Sequence, residues 1–167
     1  MNEAKPIGVD ASGYELLTKA VRDLLNQYPG LSADDYISFE ELEKDSGIAF
    51  SADNGALIMS ETRSITDHIK QTCQFPFYIV YRTNAKQENL KINVQTFLDK
   101  IGKWICQEPV EINGMEYRLK TLPVLSGDRK ITRITRQNSY GTEPDADGVQ
   151  DWLLPVTVQY KYEYDKW

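Results

Sequence analysis

The last seventeen residues of the chain, DWLLPVTVQYKYEYDKW, alternate between two kinds of side chain. Every second position is apolar or aromatic, and this set is Trp152, Leu154, Val156, Val158, Tyr160, Tyr162 and Tyr164. An alternation with a period of two over this length predicts a long β-strand with one buried face. We expect that face to pack against helices, with Lys161 and Glu163 of the other set pointing outward.

Pro155 belongs to the outward set of the same strand. Proline has no N–H group to donate to a neighbouring strand, so in sheets it is confined mainly to edges and bulges. We therefore expect the closing strand to lie near the edge of the sheet, with one side unpaired at Pro155.

Two earlier segments have the apolar period of helices. The first is predicted to begin at Ser12, which forms a capping box with Glu15, and to end at Tyr28-Pro29-Gly30. The second covers residues 94–105. Their apolar stripes are Leu17, Ala20, Val21, Leu24 and Leu25, and Val94, Phe97, Leu98, Ile101, Trp104 and Ile105.

The remaining patterned segments indicate strands. They are residues 36–41, 47–51, 55–60, 64–81, 110–112, 115–119 and 129–140. Asn54-Gly55 and Asn113-Gly114 predict tight hairpin turns. The second half of residues 64–81 is apolar on both faces, as in a central strand, and Pro76 predicts a bend or bulge within it.

This order of elements predicts an α+β fold with a largely antiparallel, mixed sheet and two main helices packed on one of its faces. A chain of 167 residues fits a single domain, residues 1–167, and can bury a core without disulfides or metal. We expect residues 1–11 to form a flexible N-terminal arm.

The residues that usually carry chemistry are few. His68 is the single histidine, so a histidine-based zinc site is disfavoured. Cys73 lies five residues beyond His68 in the same predicted strand, and odd spacing puts the two on opposite faces. We interpret Cys73 and Cys106 as structural thiols, with a disulfide between them left open. The sequence also lacks a phosphate-binding glycine loop, and we predict no catalytic residue, cofactor or metal.

The acidic segment at residues 143–151 has two further interpretations. Asp145-Ala146-Asp147-Gly148 is similar to the start of a calcium loop, but the closing glutamate and flanking helices are missing, which favours a solvated turn. A small-ligand-binding or enzymatic α+β domain is the alternative of another class. It would require Tyr117, Arg118 and His68 to converge with this segment in a pocket.

The charges are unevenly distributed along the chain. The formal net charge of −6 disfavours generic nucleic-acid binding. Residues 32–67 are mainly acidic, residues 117–140 are mainly basic, and residues 143–151 are acidic again. One interpretation is that a basic surface meets an acidic surface on another copy, in a head-to-tail contact that can close into a ring. The alternative is neutralisation within one subunit. The candidate interface residues are Arg129, Lys130, Arg133, Arg136, Glu143, Asp145 and Asp147.

The first residues, MNEAKPIGVDAS, have neither an apolar core nor a cleavage pattern, so they do not predict a signal peptide. No apolar run approaches the roughly 18 residues of a membrane span. We expect a protein that is made in a cytoplasm, or that is built into something assembled there.

Four stretches resemble the small phage proteins known as minor capsid or tail-completion proteins, whose fold and role match the tail terminators of long-tailed phages. These stretches are YELLTKAVRDLLNQYPGL, FPFYIVYRT, FLDKIGKWI and RQNSYGTEPDADGVQDWLLPVTVQYKYEYDKW. The resemblance implies a structural virion protein without a cofactor or catalysis. It implies a hexameric ring that caps the tail tube and contacts the tail tube protein and head-connector proteins. A head-completion or connector protein is the close alternative.

Overall fold

A computed structural model describes residues 5–44, 46–52, 54–84 and 88–166, without the side chains of residues 88–92. The helices are α1 (Ala11–Leu25) and α2 (Glu88–Ile105). The strands are β1 (Gly8–Val9), β2 (Ile37–Phe39), β3 (Gly47–Ala52), β4 (Leu57–Arg63), β5 (His68–Thr83), β6 (Val110–Ile112), β7 (Met115–Tyr117), β8 (Arg129–Arg136), β9 (Tyr140–Gly141) and β10 (Gln150–Asp165).

Two long antiparallel strands form the centre of the main sheet. β10 pairs with β5 over its whole length, from Gln150 opposite Thr83 to Asp165 opposite His68. The sheet order is β1-β4-β5-β10-β8, with β3 also on β5, β2 parallel to β3, and β9 on β10. The predicted α+β fold with a largely antiparallel, mixed sheet is therefore confirmed.

Both helices pack on the same face of this sheet. In α1, the Tyr14 ring lies 6.0 Å from that of Phe75, and in α2 the Phe97 ring lies 5.4 Å from that of Tyr81. Phe75 and Tyr81 are both odd-numbered residues of β5, so they share one face of the strand. The alternating set of β10 joins this core, with Trp152, Leu154, Val156, Val158 and Tyr160 buried. The predicted inner face of the closing strand is confirmed as far as Tyr160, and Tyr162 and Tyr164 are half-buried.

The predicted hairpin at Asn54-Gly55 is wrong. β3 and β4 both run antiparallel to β5 on the side away from β10, so they follow one another along β5 in the same direction. Their positions are fixed by Ala52 opposite Phe77 and Leu57 opposite Gln74. Pro76 lies where β5 changes partner from β3 to β4. Its register with β10 is unbroken, so the predicted bend or bulge is absent on that side.

The expected edge position of the closing strand is also corrected. β10 lies between β5 and the shorter strands β8 and β9, so it is internal. The carbonyl oxygen of Pro155 accepts a hydrogen bond of 3.0 Å from the backbone N–H of Gln137, just past the end of β8. The missing N–H of Pro155 thus faces the gap between β8 and β9, where a ladder hydrogen bond is not required.

The predicted flexible arm is wrong for residues 7–11. The backbone N–H of Ile7 donates to Ile58 at 2.8 Å, and β1 pairs with β4. Asp10 is buried and caps α1, accepting a hydrogen bond of 3.1 Å from the backbone N–H of Gly13. The helix therefore begins before Ser12, and the predicted capping box does not form its start. Residues 1–4 of the arm lie outside the described residues.

The second helix and the second turn are as predicted. α2 contains the predicted residues 94–105 and extends further toward its N-terminal end. Asn113 and Gly114 have φ values of 52° and 80°, as required at the two central positions of a type I′ turn, and they join β6 to β7.

Candidate assembly surface

The basic residues of β8 are divided between the two faces of the sheet. Arg133 lies opposite Gln159 and Ile131 lies opposite Tyr160, so Thr132 is an extra residue in a β-bulge. The bulge lets Ile131 and Ile134 share the inner face although they are three residues apart. Arg129 and Arg136 fall on that inner face, whereas Lys130 and Arg133 fall on the outer face. The predicted single basic surface is therefore wrong.

Arg129 is engaged inside its own chain and is 7% exposed. Its Nε donates to Asp10 Oδ2 at 2.9 Å, and its Nη2 donates to Asp10 Oδ1 at 2.7 Å. The ring of Tyr162 lies 3.8 Å from the guanidinium carbon. Arg129 is thus withdrawn as an interface residue, because another copy cannot reach a side chain that is covered by Asp10 and Tyr162.

Asp10 is the acceptor at the centre of this buried network. Burial alone would raise its pKa, but hydrogen bonds from Arg129, Tyr160 and Gly13 outweigh burial and lower the pKa. The Tyr160 hydroxyl donates to Oδ2 at 2.8 Å. The network joins the start of α1 to β8 and β10, so its role is to hold the fold together.

Arg136 is also largely engaged within the chain, with 19% of its side chain exposed. Its Nη2 lies 3.2 Å from Glu108 Oε2, and its Nη1 lies 3.9 Å from Asp99 Oδ1. Among the described residues, its Nε is buried without a hydrogen-bond partner. Arg136 therefore connects β8 to α2, and we withdraw it as an interface residue.

The outer face of the sheet carries a cluster of exposed cations. We call Lys70, Lys130, Arg133 and Lys161 the basic patch. These residues lie on β5, β8 and β10, and none forms a salt bridge to another described residue. Lys130 lies directly opposite Lys161. Like charges at directly opposed positions are destabilising, so the patch favours an anionic surface above it.

Three carboxylates adjoin the basic patch, those of Asp128, Glu163 and Asp165, and the last two contact His68. Asp165 Oδ1 lies 2.7 Å from His68 Nδ1, and Glu163 Oε2 lies 3.3 Å from Nε2. These contacts, with Asp165 the larger contributor, raise the pKa of His68. Glu163 and Asp165 therefore interact with the positive charge of His68 when it is protonated. This interaction limits how far the two carboxylates neutralise Lys161 and Lys70.

The other half of the outer face is apolar. We call Tyr78, Val80, Leu153 and Pro155 the apolar patch, which β5 and β10 supply in the register that pairs Val80 with Leu153. Val80 is 9% exposed and the other three are half-buried. Within the described part of the chain both helices lie on the opposite face, so no described helix covers the apolar patch or the basic patch.

An acidic corner lies at the edge of the sheet beyond β3. We define it as the exposed residues Asp34, Asp35, Glu40, Glu41 and Glu43, which flank β2. The backbone N–H of Glu40 donates to Phe50 of β3 at 3.0 Å. The carbonyl of Glu43 accepts from Arg82 Nη1 at 3.2 Å. Of the other acidic residues predicted with this group, Glu61 and Asp67 lie away from it, whereas Asp45 and Asp53 lie outside the described residues.

The loop before β10 exposes Glu143, Asp145 and Asp147. Asp145 Oδ1 accepts from the backbone N–H groups of Asp147 and Val149, each at 2.9 Å, so this carboxylate stabilises its own turn. Among the described residues no group of three or more His, Cys, Asp or Glu side chains is arranged to hold a metal ion. Glu143 and Asp147 stay predictions as interface residues.

The pocket required by a ligand-binding or enzymatic domain is not assembled as predicted. His68 pairs with Asp165 at one end of β10, whereas residues 143–149 precede the other end. Those ends are about 50 Å apart at the rise of an extended strand. His68 therefore does not converge with that acidic loop.

The cysteines are free. Cys73 is fully buried, as a structural thiol is expected to be, whereas Cys106 is half-buried, and the disulfide left open is not formed. Burial raises the pKa of each thiol to about 11, which disfavours the reactive thiolate.

Sequence reasoning missed Asp10 and Lys70, and it predicted that Lys161 points outward without assigning it to an interface. The alternation of β10 gave the outward direction of Lys161. Its neighbours Lys130 and Lys70 depend on strand pairing, which a single sequence does not reveal.

No protein-family model matches the chain, and no curated protein matches its sequence at a significant level. In the described part of the chain, no helix combines the length and apolarity needed to cross a membrane. The features of the described residues that bear on function are therefore the surfaces of the sheet.

Proposed function

We propose that this protein is a structural subunit of a phage virion, a tail terminator that caps the tail tube as a ring and forms part of the head–tail joint. The observation that carries the proposal is the outer face of the sheet, which no described helix covers and which holds the basic and apolar patches. A surface of this kind suits a subunit that is completed by a neighbour. The kind of assembly, a phage tail, comes from the resemblance of the four sequence stretches to phage proteins.

The charge of the chain suits this role. A tail lumen must pass DNA without retaining it, and phosphate is held mainly by exposed Lys and Arg. With a formal net charge of −6, a ring of these subunits would repel DNA over most of its surface. The proposed partners are further copies of the chain, the tail tube protein and the head-connector proteins, and the subunit number of six comes from the resemblance alone.

The proposal is tested with phage particles assembled without this protein. Negative-stain microscopy should show tails of irregular or excessive length that are not joined to heads. Tails of normal length, joined normally to filled heads, would contradict the proposed function.

Immunogold labelling then locates the protein on complete particles. Label at the head-proximal end of the tail supports a tail terminator. Label that remains on the head vertex of tailless particles would instead assign the protein to head completion or the connector.

A small-ligand-binding function is tested separately by thermal denaturation with nucleotides and divalent metals. A rise of several degrees in the melting temperature with one of these ligands would favour that class. We expect no such rise, since His68 and the loop before β10 lie at opposite ends of the sheet.

A further inference from the structure

We infer that two copies of this chain meet head to tail, with the acidic corner of one copy docked on the basic patch of the next. The inference rests on the proposed function only in requiring that the chain assembles with itself. Beyond the proposed function, the inference identifies the two surfaces that meet and the residues that set the register of the contact.

The two surfaces have opposite charge and are both exposed. The acidic corner contributes five carboxylates, with Lys44 the exposed cation beside them. The basic patch contributes four cations without salt bridges to described residues. Complementary charges of this kind steer association and fix the register of an interface.

The two surfaces cannot neutralise each other within one chain. Glu40 lies beside Phe50, which is opposite Ile79, whereas Arg133 lies level with Gln74. These levels are five residues apart along β5, or about 17 Å. β2 and β8 are also four strands apart across the sheet, which adds about 19 Å in the perpendicular direction. Both separations exceed the screening length of about 8 Å at physiological ionic strength.

When two copies meet through two different surfaces, the pair still has one unoccupied acidic corner and one unoccupied basic patch. Such a heterologous contact continues until it closes into a ring or extends into a filament. The apolar patch adjoins the basic patch on the same face, so the docked copy can also cover Tyr78 and Leu153. Burial of these two side chains would give the interface an apolar centre that excludes water, which a contact between charges alone does not have.

The contact is tested by removing most of the net charge of each surface separately. One variant carries Lys130→Glu and Lys161→Glu, and the other carries Glu41→Lys and Glu43→Lys. The first variant leaves two cations and two carboxylates in the basic patch, and the second leaves three carboxylates and two lysines in the acidic corner. In each variant one of the two surfaces has therefore lost most of its net charge. Sedimentation velocity at low salt should show that each variant alone self-associates at least about tenfold more weakly than the wild type.

Mixing the two variants is the decisive step. The unchanged acidic corner of the first variant fits the unchanged basic patch of the second, so each mixed pair keeps one intact contact. The equimolar mixture should regain association to within about threefold of the wild type, and added salt should weaken it. The matched control is Lys120→Glu, an exposed lysine outside the basic patch, which should associate like the wild type.

Three results would overturn the inference. The wild type could stay monomeric at millimolar concentration in low salt, or the mixture could associate no better than its components. The double lysine variant could also lose binding to a short DNA duplex while self-association is unchanged, which would assign the patch to phosphate. The mixing experiment tests only the contact between copies, and tail microscopy tests the proposed function. If mixing restores association but tails made without the protein are normal, the proposed function is rejected and the contact is retained.

Discussion

Arg129 forms a buried, bidentate salt bridge with Asp10, which lies 119 residues earlier in the chain. Its Nε and Nη2 lie 2.9 Å and 2.7 Å from the two carboxylate oxygens. The pair fastens the start of α1 to β8, and Tyr160 of β10 donates to the same carboxylate. The carboxylate that caps α1 thus also fixes the position of two strands.

Loss of Arg129 should strongly destabilise the protein. Arg129→Ala leaves the Asp10 carboxylate buried without its cation, and breaking a buried pair in this way costs about 3–5 kcal/mol. The measurement is the free energy of unfolding in urea at neutral pH. Lys130→Ala, at the next residue but exposed, is the matched control and should change stability by less than about 0.5 kcal/mol. Equal effects of the two substitutions would contradict the burial of this pair.

This pair also shows where sequence reasoning failed. Arg129 and Lys130 are adjacent cations in RKITRITR, and nothing in the sequence distinguishes the one that is buried. The distinction comes from the register of β8 on β10 and from the bulge at Thr132, which are tertiary features. Local sequence places Asp10 in a flexible arm, because the partner that holds it lies more than a hundred residues away.

Other parts of the fold follow directly from local sequence. The alternation of the closing strand and the turn at Asn113-Gly114 reflect backbone geometry within a few residues, and both predictions are confirmed. Asn54-Gly55 has the same turn chemistry but joins two strands that both pair with β5. Turn residues therefore predicted a change in the chain path at both sites, but they did not determine which strands pair.

His68 should titrate above its ordinary pKa of 6.5. Asp165 and then Glu163 hydrogen-bond its ring and favour the protonated form. The stabilisation from a raised folded-state pKa is fully present below the unfolded pKa and is lost as the pH rises through the folded value. Proton NMR of the single histidine, with a tag that contains no histidine, gives the midpoint directly.

Asp165→Asn should lower the His68 midpoint toward 6.5. Asp147→Asn, at the far end of β10, removes the same charge and should leave the midpoint unchanged. A wild-type midpoint at or below 6.5 would show that the histidine does not make these contacts in solution.

The two cysteines should react slowly in the native protein. Burial raises the pKa of each thiol from 9.0 to about 11, which lowers the thiolate fraction near pH 8 about a hundredfold. The absorbance change on reaction with a disulfide reagent should therefore be far slower in buffer than in denaturant. Cys106→Ser isolates the fully buried Cys73. Native rates that match the denatured rates would contradict the burial of the thiols.

Gly102→Ala should destabilise the protein although alanine favours helices. A Cβ atom at this position of α2 would lie 2.7 Å from Arg136 Cδ and 3.0 Å from Leu154 Cδ2. Overpacking of this kind costs about 1–3 kcal/mol, against a gain of about 1 kcal/mol in helix propensity. Urea unfolding should show a net loss, which a smaller side chain at Arg136 should reduce. A more stable Gly102→Ala variant would mean that α2 and β10 are less closely packed.

Electron microscopy is the most direct test of the proposal that this protein is a ring-forming tail terminator whose copies meet through the acidic corner and the basic patch. Tails made without the protein are incubated with either purified wild type or the Lys130→Glu and Lys161→Glu variant. We predict that the wild type forms rings on the head-proximal end and restores joining to heads, and that the variant does neither. The claim is contradicted if the wild type leaves these tails uncapped and unjoined, or if the variant restores them equally well.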